Sequence, residues 1–164
     1  MCMDGMYGME REAERLQRME MIREYRTELE KLLKYIPWLE KNRGQNLSTP
    51  YAGDDVEKNS IAFPVYDGTL LNFIRELSAT RWMNRNYMYD YRRYRIENAE
   101  EEKRVIARAG VKELGLICSI LSRYAMKGRT KGSVWSEGVI NGVYLDALLK
   151  IKAIILQWDK RPFT

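Results

Sequence analysis

The sequence predicts an all-α protein, a single-domain bundle of about five helices with one long loop. Three observations lead there. Apolar residues recur every three or four positions along most of the chain. Glycine and proline number only eleven and four among 164 residues, and most lie between the periodic runs. Hydrophobic residues make up 45% and charged residues 31%, a globular composition, and a chain of this length buries roughly two-thirds of the surface its unfolded form exposes.

The first helix is expected from Met9 to Ile36, because Leu16, Met19, Ile22, Tyr25, Leu29, Leu32 and Ile36 fall on one face. Pro37 lacks an N–H and stops or kinks it. Residues 1–18 are charged and methionine-rich and read as a flexible extension, leaving 19–164 as the helical domain. From Lys41 to Asn59 the turn formers Asn42, Gly44, Asn46, Ser48, Pro50, Gly53, Asp54 and Asp55 predict the long loop. A short extended piece with Pro64 inside it follows at Ile61–Tyr66. Asp67 is suited to cap a second helix that turns Leu70, Leu71, Phe73, Ile74 and Leu77 inward. Asn84 or Asn86 opens a third, running to about Ala109, and Gly110 punctuates. The fourth spans Val111 to Met126 through Leu114, Ile117, Cys118, Leu121 and Tyr124. A basic turn, Lys127–Ser133, leads to the last helix, with Ser133 as its cap, ending near Trp158. Within it, Gly138 and Gly142 stand four apart and are expected to let another helix approach.

Composition removes several chemistries. With no histidine there is no Ser-His or Cys-His nucleophile pair and no imidazole-bound zinc. Cys2 and Cys118 are too few for a four-thiolate site and do not suggest a disulfide framework. Glu137 and Asp146 are nine residues apart, ~13 Å along one helix, too far for shared acid–base work. The loop acids Asp54, Asp55 and Glu57 lack calcium-loop spacing. The expectation is a protein that is no enzyme, with no catalytic residue, metal or cofactor. The longest apolar region, Val139–Trp158, is broken by Asp146, Lys150 and Lys152, so no membrane span or leader is expected and a cytoplasmic location is.

The net charge of +5 is uneven. Residues 1–40 carry seven basic and nine acidic side chains, whereas residues 111–164 carry nine and four. Arg81–Arg95 stands out, with five arginines, four tyrosines and a tryptophan in fifteen residues. Arginine offers a bidentate fork to carboxylate or phosphate, and Arg, Tyr and Trp dominate protein-interface hot spots. The competing reading packs the tyrosines in the core and leaves the arginines solvated or paired with Glu97 and Glu100–Glu102. Tyr87, Tyr91 and Tyr94 are expected on one helical face, with Arg85, Arg92 and Arg93 elsewhere. The turn Lys127–Ser133 lacks the lysine that a phosphate-binding P-loop places after its second glycine. Arg81, Trp82, Arg85, Tyr89, Arg92, Arg93, Arg95, Lys127, Arg129 and Lys131 are therefore the candidate partner-binding residues.

Phe63-Pro-Val-Tyr-Asp67, Leu71-Asn-Phe-Ile74, Asn86-Tyr87 and Lys131-Gly-Ser-Val-Trp-Ser-Glu-Gly-Val-Ile-Asn-Gly-Val-Tyr-Leu145 resemble a family of short helical bacterial proteins. That family is a domain of unknown function found in Gram-positive anaerobes and on mobile elements. The resemblance spans roughly residues 20–158, and its most specific part is Trp135, Gly138 and Gly142. It implies a helical fold and no activity. The expected function is binding of an acidic macromolecular partner, a protein or ribonucleoprotein first and nucleic acid second. The mobile-element setting suggests an inhibitor of host defence such as an anti-CRISPR protein. A small metal-dependent hydrolase or nuclease is a further alternative, and a homodimer through the first helix a further expectation.

Overall fold

The computed structural model describes residues 3–46, 48–50 and 64–160. In chain order the elements are α1 (Met3–Leu29), a 3-10 segment (Glu30–Tyr35), α2 (Ile36–Lys41), β1 (Ser48–Pro50), β2 (Pro64–Tyr66), α3 (Gly68–Ala79), α4 (Tyr87–Arg93), α5 (Ala99–Arg108), a 3-10 turn (Val111–Glu113), α6 (Leu114–Lys127), α7 (Val134–Ile140) and α8 (Val143–Lys160). The fold is all-α, with one antiparallel two-stranded ribbon pairing Ser48 with Tyr66 and Pro50 with Pro64. Asp54, Asp55 and Glu57 lie outside the described residues.

Among the described residues eight α-helices stand where about five were expected, and the reasons are local. Pro37 neither stops nor simply kinks the first helix. The segment before it tightens to 3-10 geometry, and α2 resumes with Pro37 in its first turn, where a missing N–H costs nothing. The expected third helix divides because α4 ends in a left-handed residue, Arg95 (φ 54°). The Ile96 N–H reaches the Tyr91 carbonyl at 2.9 Å and the Arg95 N–H reaches that of Arg92 at 3.3 Å. Asn98 then caps α5, accepting from the Glu101 N–H at 2.9 Å, while Glu101 accepts from the Glu97 N–H at 2.7 Å. The expected last helix divides at Gly142, whose φ of +79° suits glycine, and the Asn141 side chain accepts from the Val143 N–H at 2.9 Å.

Other caps fall as expected or are corrected. Asp67 caps α3, accepting from Thr69 N–H at 2.8 Å and Leu70 N–H at 3.4 Å. Leu70, Phe73, Ile74 and Leu77 are buried, while Leu71 is only half-buried. Ser133 does not cap α7. Its backbone is already helical after the turn, and its side chain makes no cap bond.

α6 is buried almost all round, from Leu114 to Ala125, and forms the centre of the bundle. Phe73 and Tyr124 both pack edge-on to Tyr144, and all three rings are fully buried. Gly138 serves that ring. A Cβ there would run into Tyr144, so the glycine seats a tyrosine rather than a second helix, and Gly142 serves a turn. Gly128 likewise lies under the Trp135 ring, whose N–H donates to the Ala125 carbonyl at 3.1 Å.

The apolar stripe of α1 enters the core only from Ile22. Ile22, Tyr25 and Leu29 are buried, as are Leu32 and Ile36 beyond it, but Leu16 is 56% exposed. Residues 8–17 are helical and exposed, so this part of the expected extension is a continuation of α1. Among the described residues no helix is long and apolar enough to cross a membrane.

Candidate functional site

α4 is short, and an isolated helix of seven residues has little stability of its own. A polar chain ties it to α6. Ser119 Oγ donates to Asp90 Oδ2 at 2.5 Å and accepts from Asn84 Nδ2 at 3.1 Å, while the Asn84 N–H donates to Ser122 Oγ at 2.8 Å. Tyr91 is buried beneath α4, and Ile96 closes its C-terminal end. With that side fixed, Arg85, Met88, Tyr89, Arg92 and Arg93 face outward, Tyr89 at 68% exposure. Tyr94 does not share the face of Tyr91. It falls at the helix end and is exposed, while Tyr87 is half-buried and edge-on to Tyr91 at 6.1 Å.

The arginines do not pair with the acids that follow them in sequence. Glu101 is occupied as a capping residue, and Glu102 is inside the protein at 2% exposure. Among the described residues Arg85, Arg92 and Arg95 form no ion pair, and Arg93 lies over the Tyr94 ring at 5.7 Å.

Two of the candidate residues sit apart. Arg81 lies 3.6 Å from Glu28 of α1 and over the Trp82 ring at 5.1 Å. Trp82 turns inward, stacked on Tyr25 with ring centres 3.8 Å apart and packed against the core. Arg129 and Lys131 are exposed on the turn after α6. Lys127, half-buried, is linked to α4 by a cleft of about 250 Å³ that it lines together with Met88.

Sequence reasoning missed that cleft. Its floor is Glu102, which accepts from Tyr91 Oη at 2.5 Å and Tyr124 Oη at 2.7 Å, with Arg123 3.8 Å away. Arg123 lies near both tyrosine rings, 5.8 Å from Tyr91 and 5.1 Å from Tyr124, and Asn141 Nδ2 donates to Tyr124 Oη at 2.9 Å. Burial raises both tyrosines far above their ordinary 10.0, and the Glu102 carboxylate raises them further. They therefore stay neutral donors. Glu137 and Lys127 line the same cleft. Asp146, which helical spacing sets too far from Glu137 for shared chemistry, faces Lys103 at 4.0 Å. Among the described residues no three carboxylates or thiols gather as a metal site.

The only sequence signal for this cluster was the helical spacing that sets Glu102 within α5 and Arg123 beside Tyr124. Nothing local marks Glu102 as buried rather than solvated. No family model, curated protein or solved structure matches the chain.

Proposed function

We propose that this protein is a non-enzymatic binding protein that engages an acidic protein surface through the outward face of α4. One observation carries the reading: Arg85, Arg92 and Arg95 have no acidic partner among the described residues, although Asp90 lies among them and Glu97 and Glu100–Glu102 follow closely. Arg93, Met88, Tyr89 and Tyr94 complete the face. Arginine, tyrosine and methionine are enriched at protein interfaces, where the bidentate fork of arginine meets carboxylates. Charge complementarity of this kind steers encounter and weakens with salt.

The test is capture from lysate by wild type and by an Arg85→Glu, Arg92→Glu, Arg93→Glu variant, with nuclease in both. Loss of a nuclease-resistant protein partner supports the reading. Equal capture by the variant refutes it.

Nucleic acid is the second reading, favoured by Arg129 and Lys131 on the neighbouring turn. It requires affinity to fall steeply with salt, as counterions return to the phosphates. Titration of a labelled duplex and a single strand at low ionic strength, with no binding to either, ends it. The narrower role, an anti-CRISPR-like inhibitor carried by a mobile element, draws support from the sequence resemblance alone.

A further inference from the structure

The cleft floored by Glu102 holds uncommitted charge of both signs. Arg123 and Lys127 stand four apart on α6 and both line it, so helical spacing puts the two cations on one wall. Glu137 of α7 and Glu97, from the link between α4 and α5, bring acids to the same cleft. Among the described residues the side chains of Lys127, Glu97 and Glu137 form no ion pair, with one another or with anything else. Arg123 goes further. Its side chain is only 25% exposed, yet among the described residues none of its N–H groups makes a hydrogen bond. Glu102 does not take them. One of its oxygens accepts from Tyr91 Oη and the other from Tyr124 Oη, and the guanidinium stands off at 3.8 Å, beyond hydrogen-bond length. The Tyr91 and Tyr124 rings hold that guanidinium in place, 5.8 and 5.1 Å from its carbon. A fork of five donors is thus positioned without an acceptor, in surroundings where polar groups ordinarily have one.

We propose that this cleft binds a free α-amino acid with an aliphatic side chain, its carboxylate on Arg123 and Lys127 and its ammonium on Glu137. Charge selects the class. A plain anion would meet Glu97 and Glu137, and a plain cation would meet Arg123 and Lys127, whereas a guest carrying both charges satisfies both walls. The arginine fork suits a planar carboxylate, which it can hold through two parallel bonds. Size selects a small guest, since about 250 Å³ is below the roughly 300–1,000 Å³ of pockets for drug-sized ligands. Met88 and Ile96 give the cleft an aliphatic side for the guest's own side chain. None of the charged groups is an α4 arginine, so the site stands independently of the proposed function.

Isothermal titration calorimetry of the full chain with L-leucine, L-methionine and L-alanine tests it. Leucine and methionine are expected to bind more tightly than alanine. Two analogues of leucine each lack one charge: L-leucinamide has no carboxylate and 4-methylpentanoate has no ammonium. Each is expected to bind about tenfold more weakly than leucine, or worse. Lys127→Gln is expected to weaken leucine about tenfold and leave leucinamide unchanged, and Glu137→Gln to weaken leucine and not 4-methylpentanoate. Lys127 and Glu137 are half-buried and unpaired among the described residues, so helicity by circular dichroism is expected to hold in both variants. No heat of binding from any of the three amino acids up to about 10 mM overturns the proposal. So does an analogue that binds as tightly as leucine, or a folded Lys127→Gln or Glu137→Gln variant that binds leucine as well as wild type.

Discussion

Glu102 shows how far a residue's role can lie from its local sequence. It sits in the run Glu100–Glu102 at the start of α5, where acids are favourable to the helix dipole and ordinarily solvated. Its neighbours in the run do behave so, with Glu101 capping. Glu102 instead closes the polar centre of α4, α5 and α6 through Tyr91, Tyr124 and Arg123. Replacing it with alanine strands two buried hydroxyls and a guanidinium. Glu102→Ala is expected to cost about 3 kcal/mol, and Tyr91→Phe, which removes one donor and leaves the carboxylate Tyr124, about 1 kcal/mol. Urea midpoints of the three proteins give the order directly. A Glu102→Ala variant as stable as wild type would contradict the assignment. Gly138 teaches the same lesson with a smaller side chain. Its spacing from Gly142 suggested helix contact, but one glycine seats the Tyr144 ring and the other bends the chain.

At the scale of elements, periodicity located apolar faces well and helix ends poorly. Leu70, Phe73, Ile74 and Leu77 in α3, and Leu114, Ile117, Cys118, Leu121 and Tyr124 in α6, are buried as their spacing predicts. The breaks at 94–98 and 141–142 escaped notice because the charged and polar residues there fit a helical face as readily as a turn. Arg95 is the clearest case. Its left-handed conformation is one that glycine adopts freely, and a side chain there costs roughly 1 kcal/mol. Arg95→Gly is therefore expected to stabilise the fold by about 0.5–1 kcal/mol while removing one charge from the α4 face. Thermal unfolding and partner capture should then move in opposite directions. A variant that loses stability would show that the Arg95 side chain, not its backbone, holds the turn.

Across the whole molecule, the buried tyrosines and Cys118 make stability sensitive to alkali. Burial, with Cys118 and Glu24 nearby, pushes Tyr25 from 10.0 up to about 12, and burial alone pushes the Cys118 thiol from 9.0 up to about 12. Tyr91, Tyr124 and Tyr144 are raised as well, burial being the largest cause in each. The folded state holds these groups neutral, whereas the unfolded chain releases their protons at ordinary values. Their contribution is complete below about pH 8 and is lost as pH rises toward the folded values. Urea midpoints should therefore fall between about pH 8 and pH 11, in step with tyrosinate absorbance. A flat profile would mean that the tyrosines are solvated. The amino-acid sequence by itself determined the helical class, the inward faces of α3 and α6 and the arginine-rich character of the α4 segment. Those properties follow from spacing and composition, which act within a few residues. Only the tertiary structure decided that Trp82 turns inward, that Glu102 is buried away from the arginines of α4, and that the α1 stripe lies outside the core before Met19. Each of those depends on which distant helix lies opposite, and no local pattern carries that.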